Sequence, residues 1–105
     1  MAQFDVHRNR GPQRATIPYL LVVQSRRFDS FGRRVVIPLV DAAANPVIER
    51  TLNPTFSIEG RSVVLHTLQM ASIPANTLGE LVASLEPEGD RIIAAIDLLI
   101  SRAWG

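Results

Sequence analysis

The hydrophobic period of this 105-residue chain changes once, near Pro87. Before that point, apolar residues alternate with polar ones or form short runs between turn residues, which is typical of β-strands. Beyond it, apolar residues recur every three or four positions, which predicts one helix from about Pro87 to Ala103. Acidic residues cluster at the predicted helix start and Arg102 lies near its end, as the helix dipole favours. We therefore predict a mainly β fold with one C-terminal helix, as a single domain over residues 1–105.

Five segments before Pro87 are predicted to be strands. They are Gln3 to His7, Tyr19 to Val23, Arg34 to Leu39, Thr55 to Ile58 and Ser62 to His66. Glu59-Gly60 is predicted to be a hairpin turn, because glycine adopts the positive φ that a tight primed turn needs. Pro38 cannot donate to a strand ladder, so we expect it at a strand edge or a bulge. Asp41 to Asn45 is expected to form a helical turn.

The charges are divided unevenly along the chain. All eleven basic side chains are arginine, and the formal net charge is +1. Residues 1–34 carry seven arginines against two carboxylates, a balance of +5, and residues 35–105 carry four against eight, a balance of −4. Such a division is compatible with steering of a charged partner to one face, or with pairing inside the fold. The sequence leaves both open.

No local pattern predicts a catalytic site, a metal site or a cofactor. The chain has no cysteine, which excludes thiolate chemistry, disulfides and zinc-ribbon sites. His7 and His66 lie in predicted strands without a carboxylate at ligand spacing. The glycines are scattered rather than grouped in a phosphate-binding loop. These patterns do not favour an enzyme.

No targeting or membrane-spanning segment is predicted. The N-terminus carries Asp5 and lacks the apolar core of a signal peptide. The longest clean apolar run, Ile17 to Val23, has seven residues, whereas a spanning helix needs about 20. We therefore expect a cytoplasmic protein.

The only tryptophan, Trp104, lies one residue from the C-terminus. Terminal residues fray unless they are docked, and tryptophan is enriched among interface hot spots. Two interpretations remain open: Trp104 anchors a partner, or it folds back onto the sheet.

Several short motifs occur in the order and at the spacing of one toxin family. They are Gln3-Phe4-x-Val6, Val23-Gln24-Ser25, Gly32-Arg33-Arg34-x-Val36-Ile37-Pro38-Leu39, Met70-Ala71-Ser72-Ile73-Pro74, Ala95-Ile96-x-Leu98 and Trp104-Gly105. In these motifs the chain resembles the CcdB family of toxins over essentially its whole length. The resemblance implies an SH3-like antiparallel β-barrel with one C-terminal helix, which works as a homodimer.

The resemblance also implies a function. Members of the family bind the A subunit of DNA gyrase and poison the enzyme by trapping its cleaved-DNA complex, and they are not enzymes themselves. A CcdA-like antitoxin neutralises them through a disordered segment. The toxin–antitoxin complex represses its own operon, so the toxin meets operator DNA only indirectly, through that complex.

Site residues follow from the same resemblance. The implied gyrase-binding residues are Trp104, Gly105, Ile100, Asp97, Arg27 and Phe28. The implied antitoxin-binding residues are Arg8, Arg10 and Arg14. The implied dimer interface comprises Met70, Ala71, Ser72 and Ile73. Trp104 stands three residues later than the family pattern places its tryptophan, about 4.5 Å further along a helix axis, and the final isoleucine of the pattern is missing.

Two alternative functions remain open. Toxins that cleave mRNA share this barrel architecture, and the arginine-rich first third of the chain suits contacts with phosphate. The protein could also be a homologue that binds its antitoxin without acting on gyrase, because Arg27 replaces an apolar residue of the family pattern.

Overall fold

The computed structural model describes residues 2–44 and 49–101. Within those residues the chain forms seven strands and one α-helix, which confirms the predicted class of a mainly β, antiparallel barrel-like fold with one C-terminal helix; the sheet forms a half-barrel. The elements are β1 (Asp5–Arg8), β2 (Tyr19–Val22), β3 (Arg33–Asp41), β4 (Thr55–Ile58), β5 (Arg61–Leu65), β6 (Ala71–Pro74), β7 (Leu81–Ser84) and α1 (Gly89–Ile100). Short 3-10 helices lie at Arg26–Phe28, Thr67–Gln69, Ala75–Thr77 and Glu86–Glu88.

The long strand β3 holds the sheet together. The strand order is β4-β5-β3-β2-β1-β7, and every pair is antiparallel. One edge of β3 pairs with β2. The other edge pairs first with β6, over Arg33–Val36, and then with β5, over Leu39–Asp41. β3 thus joins the part of the sheet formed by β2, β1 and β7 to the part formed by β4, β5 and β6.

Pro38 lies inside β3, opposite Leu20 of β2, and not at the strand edge or bulge that we predicted. Its carbonyl accepts a hydrogen bond from the His66 N–H at 3.0 Å. The missing N–H faces the same side of β3, at the point where pairing with β6 has ended and pairing with β5 has not begun. The change of partner strand therefore accommodates a proline that an unbroken ladder would disfavour.

The main core lies between one face of the sheet and α1. Its buried aliphatic side chains come from all five strands β1 to β5, and α1 contributes Ile92 and Ala95. Each large aliphatic side chain buried in this way stabilises the fold by about 1.5–3 kcal/mol. A second, smaller cluster contains Val22, Val36 and Leu78. Leu78 belongs to the connection between β6 and β7.

The sequence analysis missed two strands, β6 and β7. The four residues of β7 show no polar–apolar alternation, and this strand pairs with β1 at an irregular register. Gly79 precedes it and donates its N–H to the Arg8 carbonyl at 3.0 Å. A Cβ at position 79 would lie 2.7 Å from that carbonyl oxygen, so the approach of β7 to β1 depends on glycine.

The other differences from prediction are at element ends. Gln3 and Phe4 form a turn before β1, and Phe4 has a φ of 71°. A turn follows Asp41, as predicted. Its predicted end, Asn45, lies outside the described residues. The helix begins at Gly89, because Pro87 lies in a 3-10 turn before it. Its predicted end, Ala103, also lies outside the described residues.

The predicted hairpin is confirmed. Glu59 and Gly60 have φ values of 53° and 77°, which is the pattern of a type I′ turn, between β4 and β5. No heavy atom outside the neighbouring residues would lie within 4 Å of a Cβ at Gly60, so only the backbone conformation demands glycine there.

We predict that Gly60→Ala lowers the free energy of unfolding by about 1–2 kcal/mol, because alanine is strained at positive φ. Gly32→Ala is the matched control, since a Cβ there also meets nothing within 4 Å and φ is not positive. It should change the free energy by less than about 0.5 kcal/mol. Urea denaturation of both variants measures the difference. Equal effects would contradict the assignment of strain to residue 60.

Candidate functional site

The helix exposes an apolar stripe toward its C-terminal end. Ile92 and Ala95 are buried against the sheet, whereas Ile93, Asp97 and Ile100 follow one another on the opposite side of α1. Ile93 is 46% exposed and Ile100 is 63% exposed. The two helix residues implied for gyrase binding, Asp97 and Ile100, therefore both face solvent. Trp104 and Gly105 lie outside the described residues.

The other residues implied for gyrase binding lie in the turn after β2. Arg27 and Phe28 belong to the Arg26–Phe28 turn, where the Ser25 hydroxyl accepts a hydrogen bond from the Arg27 N–H at 3.2 Å. Phe28 is 45% exposed and meets Phe31 edge-to-face, with ring centroids 5.9 Å apart. Among the described residues, no hydrogen bond or ion pair joins this turn to α1. The described residues of the single chain therefore do not link the two parts of the implied gyrase surface through polar contacts.

The arginines implied for antitoxin binding differ in their binding partners within the chain. Arg8 forms ion pairs with Glu59 at 2.9 Å and Glu80 at 2.5 Å, and these hydrogen bonds raise the pKa of Arg8. Exposed Arg10 and Arg14 donate to the backbone carbonyls of Leu78 and Gly11. Part of the basic first third of the chain is thus neutralised inside the fold, and Arg10 and Arg14 retain their exposure.

Arg8 belongs to a polar cluster that we call the Glu59 network, which comprises Arg8, Tyr19, Glu59 and Glu80. The Tyr19 hydroxyl donates to Glu59 Oε1 at 2.8 Å. This bond, followed by the bond from Arg8, lowers the pKa of the Glu59 carboxyl, and burial raises the pKa of the Tyr19 hydroxyl. The network ties the tip of the β4–β5 hairpin to β1 and β2. Sequence reasoning missed it, because Glu59 was considered only as a turn residue.

A second ion pair lies near the same hairpin. Arg61 donates to Asp41 Oδ2 at 2.9 Å and to the Ala15 carbonyl at 3.1 Å. The Arg61 hydrogen bond, followed by the bond from the Ala43 N–H, lowers the pKa of Asp41. This pair connects β5, the end of β3 and the loop after β1.

The segment implied for dimerisation forms β6 and the residue before it. Ala71 and Ser72 are exposed, and Met70 and Ile73 are half-buried against the two apolar clusters. Arg33 holds Ser72 through its hydroxyl at 2.9 Å and its carbonyl at 2.7 Å. Within the described residues, β6 pairs only with β3. A strand edge of this kind can accept a strand from another chain, and the dimer interface stays a prediction.

The two histidines have different surroundings. His7 is buried in β1, and its Nδ1–H donates to the Gly79 carbonyl at 2.9 Å. His66 begins the Thr67–Gln69 turn, and burial lowers the pKa of its imidazole. It lines an open cavity of about 190 Å³ with Gln13, Thr16, Ile17, Val40 and Gln69.

In residues 2–44 and 49–101, no three His, Asp or Glu side chains are grouped to hold a metal ion. No helix in those ranges is both long and apolar enough to cross a membrane.

The chain is thus a small antiparallel half-barrel with a C-terminal helix, and it exposes apolar residues on that helix and in the turn after β2. The family model for the CcdB protein matches residues 3–101, and the chain belongs to the CcdB family. Its structure is also similar to a solved structure described as an endoribonuclease in complex with its cognate antitoxin from mycobacterial species. The TM-score is 0.78 at 12% identity, over 100% of this chain and 99% of the other. At that identity the likeness shows the fold.

We predict that the Glu59 network makes stability depend on pH. The folded pKa of Glu59 lies below its ordinary value of 4.5, so its contribution is complete above pH 4.5 and is lost as the pH falls through the folded pKa. The difference in free energy of unfolding between the wild type and Glu59→Gln should therefore shrink as the pH falls from about 6 to 3. Chemical denaturation across this range measures it.

Tyr19→Phe is the matched variant for that experiment. It removes the hydrogen bond that lowers the pKa of Glu59 most, so its stability should fall less steeply with acid than that of the wild type. A constant difference between the wild type and Glu59→Gln across the pH range would contradict the role of this carboxylate.

Proposed function

We propose that this protein is the toxin of a toxin–antitoxin pair, and that it binds the A subunit of DNA gyrase and traps the cleaved-DNA complex. Membership of the CcdB family supports this proposal. The observation that carries it is the exposed apolar stripe of Ile93 and Ile100 on α1, with Asp97 between them. Trp104 and Gly105 follow α1 in the sequence and would complete the surface. Apolar side chains of this kind become interface anchors when a partner removes them from water.

Trapping requires a difference in affinity between two states of gyrase. A bound protein shifts an equilibrium only as far as its affinities for the two states differ. The α1 stripe must therefore fit the gyrase surface better when the DNA is cleaved than when it is rejoined. A homodimer would present two copies of this stripe related by a two-fold axis, and would bring Arg27 and Phe28 of both protomers into one assembly.

The same proposal includes an antitoxin partner. The structural neighbour is described as bound to its cognate antitoxin, which supports a partner of this kind here. Exposed Arg10 and Arg14 suit a disordered, acidic antitoxin segment, whereas Arg8 already has two carboxylate partners. We therefore expect Arg10 and Arg14 to contribute more to antitoxin binding than Arg8. Repression of the operon would then come from the toxin–antitoxin complex, in the cytoplasm.

We expect induced expression of the protein to stop growth and to cause double-strand breaks. Removal of Trp104-Gly105, or Ile100→Asp, should raise the toxin concentration needed for half-maximal DNA cleavage by gyrase at least about 30-fold, the effect of losing a hot spot of about 2 kcal/mol. Gel quantification of linear DNA, with purified gyrase, supercoiled plasmid and ATP, measures this concentration.

Leu68→Asp is the control for that experiment. Leu68 is exposed and apolar like Ile100 but lies outside the implied gyrase-binding residues, so the variant should remain active. Thermal melts check that each variant is folded. If the folded truncated protein trapped cleaved DNA as well as the wild type, the terminal anchor would be wrong.

Cleavage of mRNA is the second candidate function. The similarity in fold to an endoribonuclease supports it, and exposed arginines such as Arg10 and Arg14 suit phosphate contacts. If it is correct, the purified protein will fragment a defined mRNA in the presence of EDTA and an inhibitor of contaminating ribonucleases, and gyrase will be unaffected. Trapping of gyrase with intact RNA would support the first proposal. If the protein binds its antitoxin but neither cleaves RNA nor traps gyrase, it is a homologue that binds only its antitoxin.

A further inference from the structure

The loop between β2 and β3 is held in shape by a buried arginine. Arg34 is 7% exposed and donates only to backbone carbonyls among the described residues. Its guanidinium reaches the carbonyls of Phe31 at 2.5 Å, Arg33 at 2.8 Å and Asp29 at 2.7 Å. Burial of a guanidinium costs free energy unless its donors are used. These bonds therefore favour one defined backbone for the loop.

Gln24 holds the same loop from the end of β2. Its side-chain amide donates to the Phe28 and Arg33 carbonyls, each at 3.2 Å, and its oxygen accepts from the Val35 N–H at 3.1 Å. The loop is thus closed at its base by two side chains that bond to its backbone. This preorganisation lowers the entropy cost of binding a partner.

The organised loop presents two aromatic rings to solvent. Phe28 and Phe31 are 45% and 63% exposed and meet edge-to-face, and the Arg27 guanidinium lies over the Phe28 ring, 5.9 Å from its centroid. Arg26, Arg27 and Arg33 are exposed around them, and the described residues give these three arginines no carboxylate partner within 4.0 Å. The loop contains one acidic residue, Asp29. The segment 26–33 therefore combines a net charge of +2 with two projecting rings.

We propose that residues 26–33 form a stacking platform for single-stranded RNA. Bases would stack on Phe28 and Phe31, and Arg26 and Arg27 would bind the neighbouring phosphates. Aromatic rings beside basic groups are the common means by which proteins bind single strands. Duplex DNA keeps its base faces stacked inside the helix, whereas unpaired RNA offers them to aromatic side chains.

An acidic peptide matches this surface less well. It would neutralise the arginines, but it does not carry an aromatic π-face beside an anion in every repeat. A nucleotide carries a π-face and a phosphate in each repeat, and so matches both components. This binding goes beyond gyrase trapping and requires neither candidate function, since it is measured without gyrase and without cleavage.

Fluorescence anisotropy with a labelled eight-nucleotide adenine RNA tests the proposal. Its 2′-hydroxyls are methylated so that cleavage through them cannot deplete the probe. Phe31→Leu and Phe28→Leu keep apolar bulk but lose the ring, and each should weaken binding by about 5- to 100-fold. Arg27→Gln should lower the slope of log affinity against log salt by about 0.7, and Phe31→Leu should leave this slope unchanged.

Several outcomes would overturn the proposal. They are undiminished binding by both leucine variants, tighter binding of same-sequence single-stranded DNA or of duplex DNA, and tighter binding of an oligoglutamate peptide of equal charge. Phe31 lies outside the implied gyrase-binding residues, so Phe31→Leu should still trap gyrase if the first proposed function is correct. Failure of RNA binding and failure of gyrase binding are therefore separate results. Unchanged melting temperatures confirm that the variants are folded.

Discussion

The pairing of β3 with three other strands is the constraint on which most of the structure depends. β2 occupies one edge of this strand, and β6 and β5 share the other. The change of partner accommodates Pro38 and leaves the outer edge of β6 without a strand partner among the described residues. The same arrangement lets the connection from β6 to β7 contribute Leu78 to the second apolar cluster. A shift of the β3 register by one residue would exchange the side chains on its two faces, which now place Ile37 and Leu39 in the main core and Val36 in the second cluster.

Arginine has two different uses in this chain. Two arginines stabilise the fold itself. Arg34 closes a loop by binding backbone carbonyls, and Arg8 bridges Glu59 and Glu80. Others, such as Arg10 and Arg27, remain exposed. The net charge of +1 therefore describes neither the pairing inside the fold nor the surface that a partner meets. The exposed helix stripe and the aromatic loop lie on separate elements, and no hydrogen bond or ion pair joins them among the described residues.

Sequence reasoning succeeded where the determinants are local. The type I′ turn was predicted from Gly60, because the need for positive φ acts at one residue. The helix was predicted from its period, although Pro87 lies in a 3-10 turn before it. Sequence reasoning failed for β6, for β7 and for the Glu59 network, since each depends on residues far apart along the chain. Of the implied site residues, Asp97 and Ile100 were found on the exposed face of α1, and Trp104 and Gly105 lie outside the described residues.

The sequence by itself determined the class of fold, the hairpin, the C-terminal helix and, through its motifs, the CcdB family. These properties follow from period, turn chemistry and the order of short motifs, which are all local. Only the tertiary structure decided which arginines are free and that Arg34 is buried beneath an exposed aromatic loop. It also decided that Glu59 is bound to β1 and β2. The reason is that burial and charge pairing depend on which distant segments meet, and the folded sheet brings those segments together.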